Sequence, residues 1–311
     1  MSDSLQIEWR SERPAFEEDD LFLDQCWLSA AARAHGRELV WLTCADDAGL
    51  AAAWPVLGKT RLGLRIASNP PHVPYLPLWL RPDLKEPTRL TVQRAFAEAL
   101  RKQFHKANLA PGPVTPDVRG FTWGGLRARP YYTYIIDLTQ PQCGHKSKKE
   151  ALRKARRLTP ELREELDIDL FLGLQRVMFA HQGLTPPMAP GVMKPWLLSL
   201  ADAGLLRQLT SYVGDTPVVS HAWLFDPQRR FVFAWLGANH PDSLTDGMAT
   251  WAFDAIFKLL RQQGFDTLDL CGANIPRLNH YYETFGGRLA LYFRLTKPMP
   301  GLLALLPGGS F

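Results

Sequence analysis

Short apolar runs separated by polar turns occur in groups of three in both halves of the chain. The first group is Glu38–Cys44, Leu50–Leu57 and Leu62–Ala67, and the second is Leu205–Val213, Pro217–Phe225 and Phe231–Gly237. The links within each group are short and rich in Gly, Asp or Pro, which are residues that favour tight turns. Each group therefore predicts a three-strand antiparallel meander.

Helical periodicity is strongest after the second meander. Leu244, Met248, Trp251, Ala252, Ala255, Ile256, Leu259 and Leu260 recur on one helical face, and Gly264 ends the pattern. This spacing predicts a long amphipathic helix. The other predicted helices are Glu17–His35, Pro87–Lys106, Lys146–Leu158, Phe171–Gly183, Val192–Ala203 and Arg277–Phe285. The other predicted strands are Tyr131–Leu138, Leu166–Leu170, Thr267–Cys271, Arg288–Thr296 and a short one around Phe121.

The size and composition of the chain indicate a globular protein of two domains. Its 311 residues exceed what one hydrophobic core usually serves, and 46% are hydrophobic and 22% charged. We predict an α/β fold with mixed sheets, divided into domains of residues 1–130 and 131–311. No apolar run approaches the roughly 20 residues that span a bilayer, and the start of the chain is acidic. We therefore expect a cytoplasmic protein without a membrane span.

Metal binding is not expected. The four cysteines, Cys26, Cys44, Cys143 and Cys271, are scattered, and no Cys/His cluster has the spacing of metal ligands.

The positive charge is concentrated in one predicted helix, residues 146–158. Residues 146–157 carry seven basic side chains against Glu150, compared with a net charge of +5 for the whole chain. Lys149, Arg153, Arg156 and Arg157 share one helical face. Such a face can contact phosphates of a nucleic acid, although a solvated helix whose apolar residues pack inward explains the pattern equally.

The predicted strands and helices of the second half are accompanied by three short sequence motifs. These are YIIDLT at 134–139, DLCGAN at 269–274 and YYETFGG at 281–287. With them, residues 166–296 resemble an acyltransferase domain of the GNAT superfamily of N-acyltransferases. Two tandem GNAT-like domains, with a basic helix opening the second, resemble the Fem-type (peptidoglycan bridge) aminoacyl transferases. The resemblance implies transfer of an acyl or aminoacyl group to an amine.

The donor differs between these relatives. In GNAT acetyltransferases the loop before the long helix holds the pyrophosphate of acyl-CoA, and here Gly247, Met248 and Ala249 occupy its end. Leu244 replaces a polar residue of that motif, and Asp246 places a negative charge beside the expected phosphate. These departures, with the basic helix, favour aminoacyl-tRNA as the donor, whereas Tyr282-Glu283 favours a thioester. Both donors remain open.

Transfer to an amine requires a base, an oxyanion donor and a proton for the leaving group. The resemblance implies that Tyr282 donates this proton. Candidates for the other catalytic roles are Tyr281, His280, His221 and Asp269, and the predicted donor slot is lined by Gly237, Ala238, Asn239, Gly272, Ala273 and Asn274.

A proline-rich, aromatic loop in the first half carries His72, Tyr75 and Trp79. We expect it to line an acceptor cleft between the domains, where a small-molecule or peptide amine would bind. The sequence thus predicts an N-acyltransferase; the alternative is a non-catalytic GNAT-fold binding protein that has lost donor recognition.

Overall fold

The computed structural model describes residues 5–17, 20–140, 145–243 and 245–298. In its first part the elements are β1 (Gln6–Arg10), α1 (Gln25–Ala34), β2 (Glu38–Asp46), β3 (Gly49–Arg61), β4 (Leu64–Ser68), β5 (Trp79–Leu80), α2 (Glu86–Gln103), β6 (Lys106–Leu109), α3 (Arg119–Trp123) and β7 (Arg127–Asp137). They are followed by α4 (Lys146–Arg156), β8 (Glu161–Glu164), α5 (Ile168–His181), α6 (Pro190–Asp202), β9 (Leu206–Val213), β10 (Thr216–Asp226), β11 (Phe231–Asn239), α7 (Met248–Gln262), β12 (Thr267–Asp269), α8 (Pro276–Glu283) and β13 (Arg288–Lys297).

The chain divides into two compact units. Unit 1 consists of the described parts of Met1–Tyr131 and Leu291–Phe311, and unit 2 is Tyr132–Ala290. The predicted domains were residues 1–130 and 131–311. Each unit combines helices with a mixed sheet, so the predicted α/β fold class is confirmed. No helix in the described ranges is long and apolar enough to cross a membrane.

Unit 1 contains the predicted first meander. Its strands follow the order β1-β2-β3-β4-β6-β13, with β5 paired to β3. The antiparallel pairs β2–β3 and β3–β4 confirm the meander, while β4–β6 is parallel. The prediction that Leu62 belongs to the third strand was wrong, because Leu62 occupies the turn with φ 50° and β4 begins at Leu64.

The helix predicted at Glu17–His35 was too long. A 3₁₀ turn at Leu21–Leu23 comes first, and α1 begins only at Gln25. Asp24 sets this start because its Oδ1 accepts a hydrogen bond from the amide of Trp27 at 3.0 Å.

The region around Phe121 is helical, not extended. It forms α3, which packs closely on α2: a Cβ on Gly120 would lie 2.4 Å from the carbonyl oxygen of Leu90. Two glycines, Gly120 and Gly124, permit this contact, and the sequence pattern did not reveal it. The strands β1, β5 and β6 were also not predicted; Lys106, assigned to the second helix, starts β6.

Unit 2 contains the second meander. Its strands follow the order β7-β12-β11-β10-β9-β8. The pairs β9–β10 and β10–β11 are antiparallel, as predicted, and β11–β12 is parallel. The strand predicted at Leu166–Leu170 was wrong, because Asp167 caps α5 by accepting from the amide of Leu170 at 2.9 Å; the strand lies earlier, at Glu161–Glu164.

The long predicted helix is α7, and it forms the centre of the unit 2 core. Phe253, Ile256, Phe257 and Leu260 of α7 pack with Trp223, Phe225, Val232 and Leu268 from three strands. The helix begins at Met248, and Leu244, which we assigned to it, lies outside the described residues. Helix α5 packs against β10 and β11.

Candidate active site

The strands β11 and β12 run side by side for three residues and then separate. Their last parallel pair is Phe233 with Asp269, where β12 ends, while β11 continues to Asn239. After Asp269 the chain follows β7 instead: Leu270 donates its amide to Tyr134 at 2.9 Å and Ala273 donates to Tyr132 at 2.8 Å. The edge of β11 that faced β12 thus has no strand partner beyond Phe233 among the described residues.

A β-bulge lies at this point of separation. On β10, Ala222 pairs with Leu236 and Leu224 pairs with Phe233, so Ala234 and Trp235 together oppose Trp223. Bulges bend a strand and redirect its backbone groups. The bulge and the loss of pairing together open a wedge at the C-terminal end of β11.

On the other side of this wedge, the turn after β12 is fixed by Asp269. Its Oδ1 accepts hydrogen bonds from Thr133 Oγ1 at 2.5 Å and from the amide of Cys271 at 2.7 Å. Thr133 Oγ1 in turn accepts from the amide of Gly272 at 3.0 Å. Cys271 has φ 55°, a strained value for a side chain with a Cβ. Asp269, almost fully buried, therefore holds the turn in shape.

His221 of β10 lies beside the wedge. It pairs with Gly237, and its ring packs edge to face on Phe253 with centroids 5.0 Å apart. A Cβ on Gly237 would lie 3.1 Å from His221 Nδ1, so the glycine leaves room for the ring. Burial lowers the pKa of His221 to about 4, against a weaker opposing effect of the Leu236 backbone. Neither ring nitrogen makes a hydrogen bond of normal geometry to the described residues.

The two adjacent tyrosines of α8 face Phe253 as well. The ring centroids of Tyr281 and Tyr282 lie 5.8 Å and 6.3 Å from that of Phe253. Burial raises the pKa of Tyr282 to about 12, and the nearby groups of Cys271 and Asp269 add to the effect. Burial also raises the pKa of Tyr281, which lies next to Thr250. The Tyr282 phenol is therefore protonated at neutral pH and lies near the end of β12.

Of the other predicted catalytic residues, His280 is exposed on α8.

The small residues predicted to line the donor slot lie at the wedge. Gly237 is exposed, Ala238 is buried, and Asn239 has a buried Oδ1 that accepts no hydrogen bond from the described residues. Across the wedge, Gly272 and Ala273 are partly exposed.

Asn274 is already engaged in the structure. Its side chain accepts from the Tyr132 amide at 2.9 Å and donates to the Tyr132 carbonyl at 3.0 Å.

The first turn of α7 is covered by α4. Gly247 is the N-cap of α7 and has φ 76°. A Cβ added to it would lie only 2.3 Å from the carbonyl oxygen of Ala151. Met248 is fully buried with Ala155, while Ala249 is partly exposed. Asp246, just before this turn, is exposed. In this structure α4 therefore packs directly against Gly247, on the side where a Cβ would point.

Helix α4 has an exposed cationic face and one buried lysine. Lys149, Arg153, Arg156 and Arg157 are exposed and form no ion pair with any described residue. Lys148 is 5% exposed; its Nζ lies 3.6 Å from Asp254 and 4.9 Å from the ring centre of Phe285. Burial lowers the pKa of Lys148, partly offset by Asp254. We did not predict Lys148.

The three loop residues proposed for acceptor binding lie in unit 1. Tyr75 is a core residue that packs edge to face on Phe22, with centroids 5.4 Å apart. Trp79 donates its indole N–H to the Glu17 carbonyl at 3.1 Å. His72 is partly buried and has φ 61°. Their acceptor-binding role stays a prediction.

The described part of the chain holds no group of three or more His, Cys, Asp or Glu residues that could bind a metal ion.

One family model matches part of the chain. The family model described as an acetyltransferase (GNAT) domain matches residues 145–281. A search of curated protein sequences gives no significant match.

Solved structures share the fold at low sequence identity. FemX has a TM-score of 0.61 at 10% identity, covering 88% of this chain and 92% of FemX. The C-terminal domain (DUF2156) of a putative lysylphosphatidylglycerol synthetase from Agrobacterium fabrum has a TM-score of 0.57 at 13% identity, covering 89% of both chains. A tandem GNAT protein from the clavulanic acid biosynthesis pathway has a TM-score of 0.54 at 10% identity, covering 94% and 98%. Residues 145–281 thus match the GNAT acetyltransferase domain model, and the chain shares its fold with FemX and with a tandem GNAT protein.

Proposed function

We propose that this protein transfers an acyl group from an activated carrier to an amine nitrogen in the wedge between β11 and β12. The observation that carries the proposal is the separation of the two strands after Phe233 and Asp269, together with the bulge at Ala234 and Trp235. An unpaired strand edge offers backbone N–H groups to the carbonyl oxygen of the acyl group, where negative charge develops during attack.

The bond changes are those of a simple substitution at a carbonyl carbon. The uncharged amine forms a C–N bond, and the bond from the carbonyl carbon to the sulfur or oxygen of the carrier breaks. The nitrogen loses one proton, and the leaving group gains one. The site therefore needs a group that accepts a proton or hydrogen bond from the amine and a group that protonates the leaving atom.

Two side chains at the wedge suit these tasks. Tyr282 keeps its proton at neutral pH because its pKa is raised to about 12, so it can donate to a leaving thiolate or alkoxide. His221 is neutral and lies beside Gly237, and neither of its ring nitrogens forms a hydrogen bond of normal geometry with a described residue. We assign it to accept a hydrogen bond from the incoming amine. Asp269 and Tyr281 act indirectly, by holding the turn after β12 and by packing under Tyr282.

Two carriers are candidates, and a different observation supports each. The GNAT family match and the protonated Tyr282 favour an acyl-CoA thioester. The close packing of α4 on Gly247, and the α4 cations that form no ion pair with the described residues, favour a polyanionic carrier, aminoacyl-tRNA. The acceptor is a small-molecule or peptide amine in either case.

Heat stability with each carrier separates the two candidates, because a ligand that binds the folded state raises the melting temperature. Coenzyme A and aminoacyl-tRNA are titrated against the protein and against Arg153→Glu. Lys102→Glu, an exposed lysine of α2, is the matched control. Stabilisation by tRNA that weakens with salt and with Arg153→Glu, but not with Lys102→Glu, identifies aminoacyl-tRNA. Stabilisation by coenzyme A that is unchanged in both variants identifies a thioester.

The second candidate function is a non-catalytic binding protein with the GNAT fold. The burial of Met248 and the contact between Gly247 and Ala151 favour it, because they place α4 against the segment that holds the donor pyrophosphate in GNAT acetyltransferases. Absence of stabilisation by either carrier, together with absence of acyl transfer to a panel of amines, would support this function and reject the transferase.

A further inference from the structure

A cavity of about 470 Å³ lies in unit 1, between α2, the segment of β5 and the loop that precedes α3. Its apolar lining is formed by Leu78, Leu80, Leu90, Val114 and Pro116. Val114 is 54% exposed, so much of its apolar surface is in contact with solvent. Small-molecule sites in proteins are concave, mostly apolar and of about this size. The cavity shares no residue with the wedge of unit 2.

The walls of the cavity are held together by Gln93, a buried side chain of α2. Its Nε2 donates to the Asp117 carbonyl at 2.8 Å, and its Oε1 accepts a hydrogen bond from the amide of Gly120 at 3.2 Å. These two bonds fix the loop before α3 against α2. A site whose walls are already ordered binds a ligand without the entropic cost of ordering them.

Arg89 of α2 supplies the positive charge of the lining. Its Nε donates to the Leu84 carbonyl at 2.6 Å, and its Nη2 donates to the Pro82 carbonyl at 3.2 Å. It forms no ion pair with any residue in the described ranges. Because a guanidinium has five N–H donors, Arg89 keeps donors for an anionic group of a ligand.

Two carboxylates of the lining, those of Glu86 and Asp117, share one partner. Arg119 Nη2 lies 2.5 Å from Glu86 Oε1 and 2.8 Å from Asp117 Oδ2. Glu86 Oε2 accepts no hydrogen bond from the described residues. Since one guanidinium balances only one of the two negative charges, this part of the lining keeps an excess of negative charge.

Glu86 and Arg89 do not neutralise each other, although they are three positions apart on α2. Opposite charges at this spacing commonly pair on a helix surface. Here the two carbonyls before the helix hold Arg89, and Arg119 holds Glu86, so these two described side chains form no ion pair. The cavity therefore presents a cation and a carboxylate on adjacent turns of one helix, next to an apolar lining.

We propose that this cavity binds a small zwitterion with an apolar side chain, which is the chemistry of an apolar amino acid or of a short apolar peptide. The carboxylate of the ligand pairs with Arg89 and its ammonium group pairs with Glu86, so both charges are compensated. The apolar side chain of the ligand contacts Leu78, Leu90 and Val114. A ligand with only one of the two charges leaves the opposite group of the protein without a partner.

The test titrates the full chain with L-leucine by calorimetry, at constant ionic strength and at about pH 6.5, where α-amino groups are protonated. We expect saturable binding. L-Alanine should bind roughly ten-fold or more weakly, because it buries less apolar surface. Equal affinity for the two amino acids, or no saturable binding of either L-leucine or L-leucyl-L-leucine, overturns the proposal.

Two analogues of L-leucine test the recognition of each charge without any change to the protein. L-Leucinamide lacks the carboxylate and N-acetyl-L-leucine lacks the ammonium group. Each should bind roughly ten-fold or more weakly than L-leucine, because a charge-assisted hydrogen bond is lost. An analogue that binds as tightly as L-leucine shows that the missing charge is not recognised, and it contradicts the assignment.

Two substitutions connect each charge of the ligand to its residue. Arg89→Gln and Glu86→Gln should each weaken the binding of L-leucine roughly ten-fold or more. Arg89→Gln should have no further effect on L-leucinamide, and Glu86→Gln should have none on N-acetyl-L-leucine, because the matching charge of the ligand is already absent. If Arg89→Gln fails to fold, the exposed Glu86→Gln and its comparison with N-acetyl-L-leucine decide the outcome.

Arg94→Gln and Glu98→Gln are the matched controls. These two residues form an exposed ion pair on the same helix and do not line the cavity. Both variants should bind L-leucine as the unmodified chain does. Equal affinity of the control variants and of Arg89→Gln and Glu86→Gln overturns the proposal.

The dipeptide L-leucyl-L-leucine determines the source of the zwitterion. Tighter binding of the dipeptide than of L-leucine indicates a short peptide, and binding of L-leucine at least as tight as that of the dipeptide indicates a free amino acid.

Discussion

The ammonium of Lys148 and the carboxylate of Asp254 lie 3.6 Å apart and join α4 to α7. Asp254 also pairs with Lys258 at 2.8 Å, but that lysine is exposed whereas Lys148 is buried. The same ammonium lies over the ring of Phe285, which stacks on Phe253 beneath the tyrosines. The buried pair therefore ties the cationic helix to the core that supports the candidate active site.

Asp254→Asn should destabilise the protein by about 2 kcal/mol, because it leaves Lys148 buried without its partner. Lys258→Ala, which removes only the exposed partner, should change stability by less than about 0.5 kcal/mol. Urea unfolding of both variants measures the difference. Equal effects of the two substitutions would show that the buried pair adds nothing beyond the surface pair.

Two glycines of unit 2 should respond differently to substitution by alanine. Gly247→Ala forces a Cβ against the Ala151 carbonyl at 2.3 Å and retains a positive φ, so we expect a loss of about 3 kcal/mol or more. Gly237→Ala meets only the His221 ring at 3.1 Å, which can shift, so we expect a loss within about 1 kcal/mol. Chemical denaturation measures the free energy of unfolding of both variants. Hydrogen exchange should show faster opening of α4 in Gly247→Ala alone. A stable Gly247→Ala with a protected α4 would contradict the close contact between α4 and α7.

His221 should make stability depend on pH. Its folded pKa of about 4 lies below the unfolded value of about 6.5, so the unfolded chain binds more protons as the solution is acidified. The stabilisation that results from this lowered pKa is fully present above pH 6.5 and is lost as the pH falls towards 4. The part due to His221 amounts to about 2 kcal/mol between pH 7.5 and 4.5. Urea unfolding at pH 7.5 and pH 4.5 should show a smaller loss of stability on acidification in His221→Gln than in His280→Gln, the exposed control.

The fold was predictable where the pattern is regular and local. The two meanders and α7 follow from alternating strands, short turns and a long apolar stripe. The errors arose where one polar or small residue decides the structure: Asp24 and Asp167 start helices, and Gly120 permits a helix–helix contact. Such local effects override the hydrophobic pattern.

The candidate site was predictable only in part, because its contacts join distant segments. Sequence alone cannot show that Thr133 hydrogen-bonds to Asp269, 136 positions later, or that Phe253 contacts both tyrosines. Lys148 did carry a signal: it precedes the inward-facing Leu152 and Ala155 by four and seven positions, on the same helical face. A lysine on the apolar face of a predicted helix should be considered separately from the solvent-exposed cations of the same helix.

Tyr282→Phe tests the transfer mechanism directly. The phenol hydroxyl is the proposed proton donor, so its removal should lower single-turnover transfer about 100-fold with the donor identified by the heat-stability titration. Tyr281→Phe is the matched control: it removes the neighbouring hydroxyl, which lies beside Thr250 in the core, and should change the rate only slightly. Because the pKa of Tyr282 is raised to about 12, transfer should also persist to about pH 10. Tyr282→Phe with an unchanged rate and a normal melting temperature would exclude the tyrosine as the proton donor. A loss in both variants would instead indicate that the pair is needed for packing around Phe253.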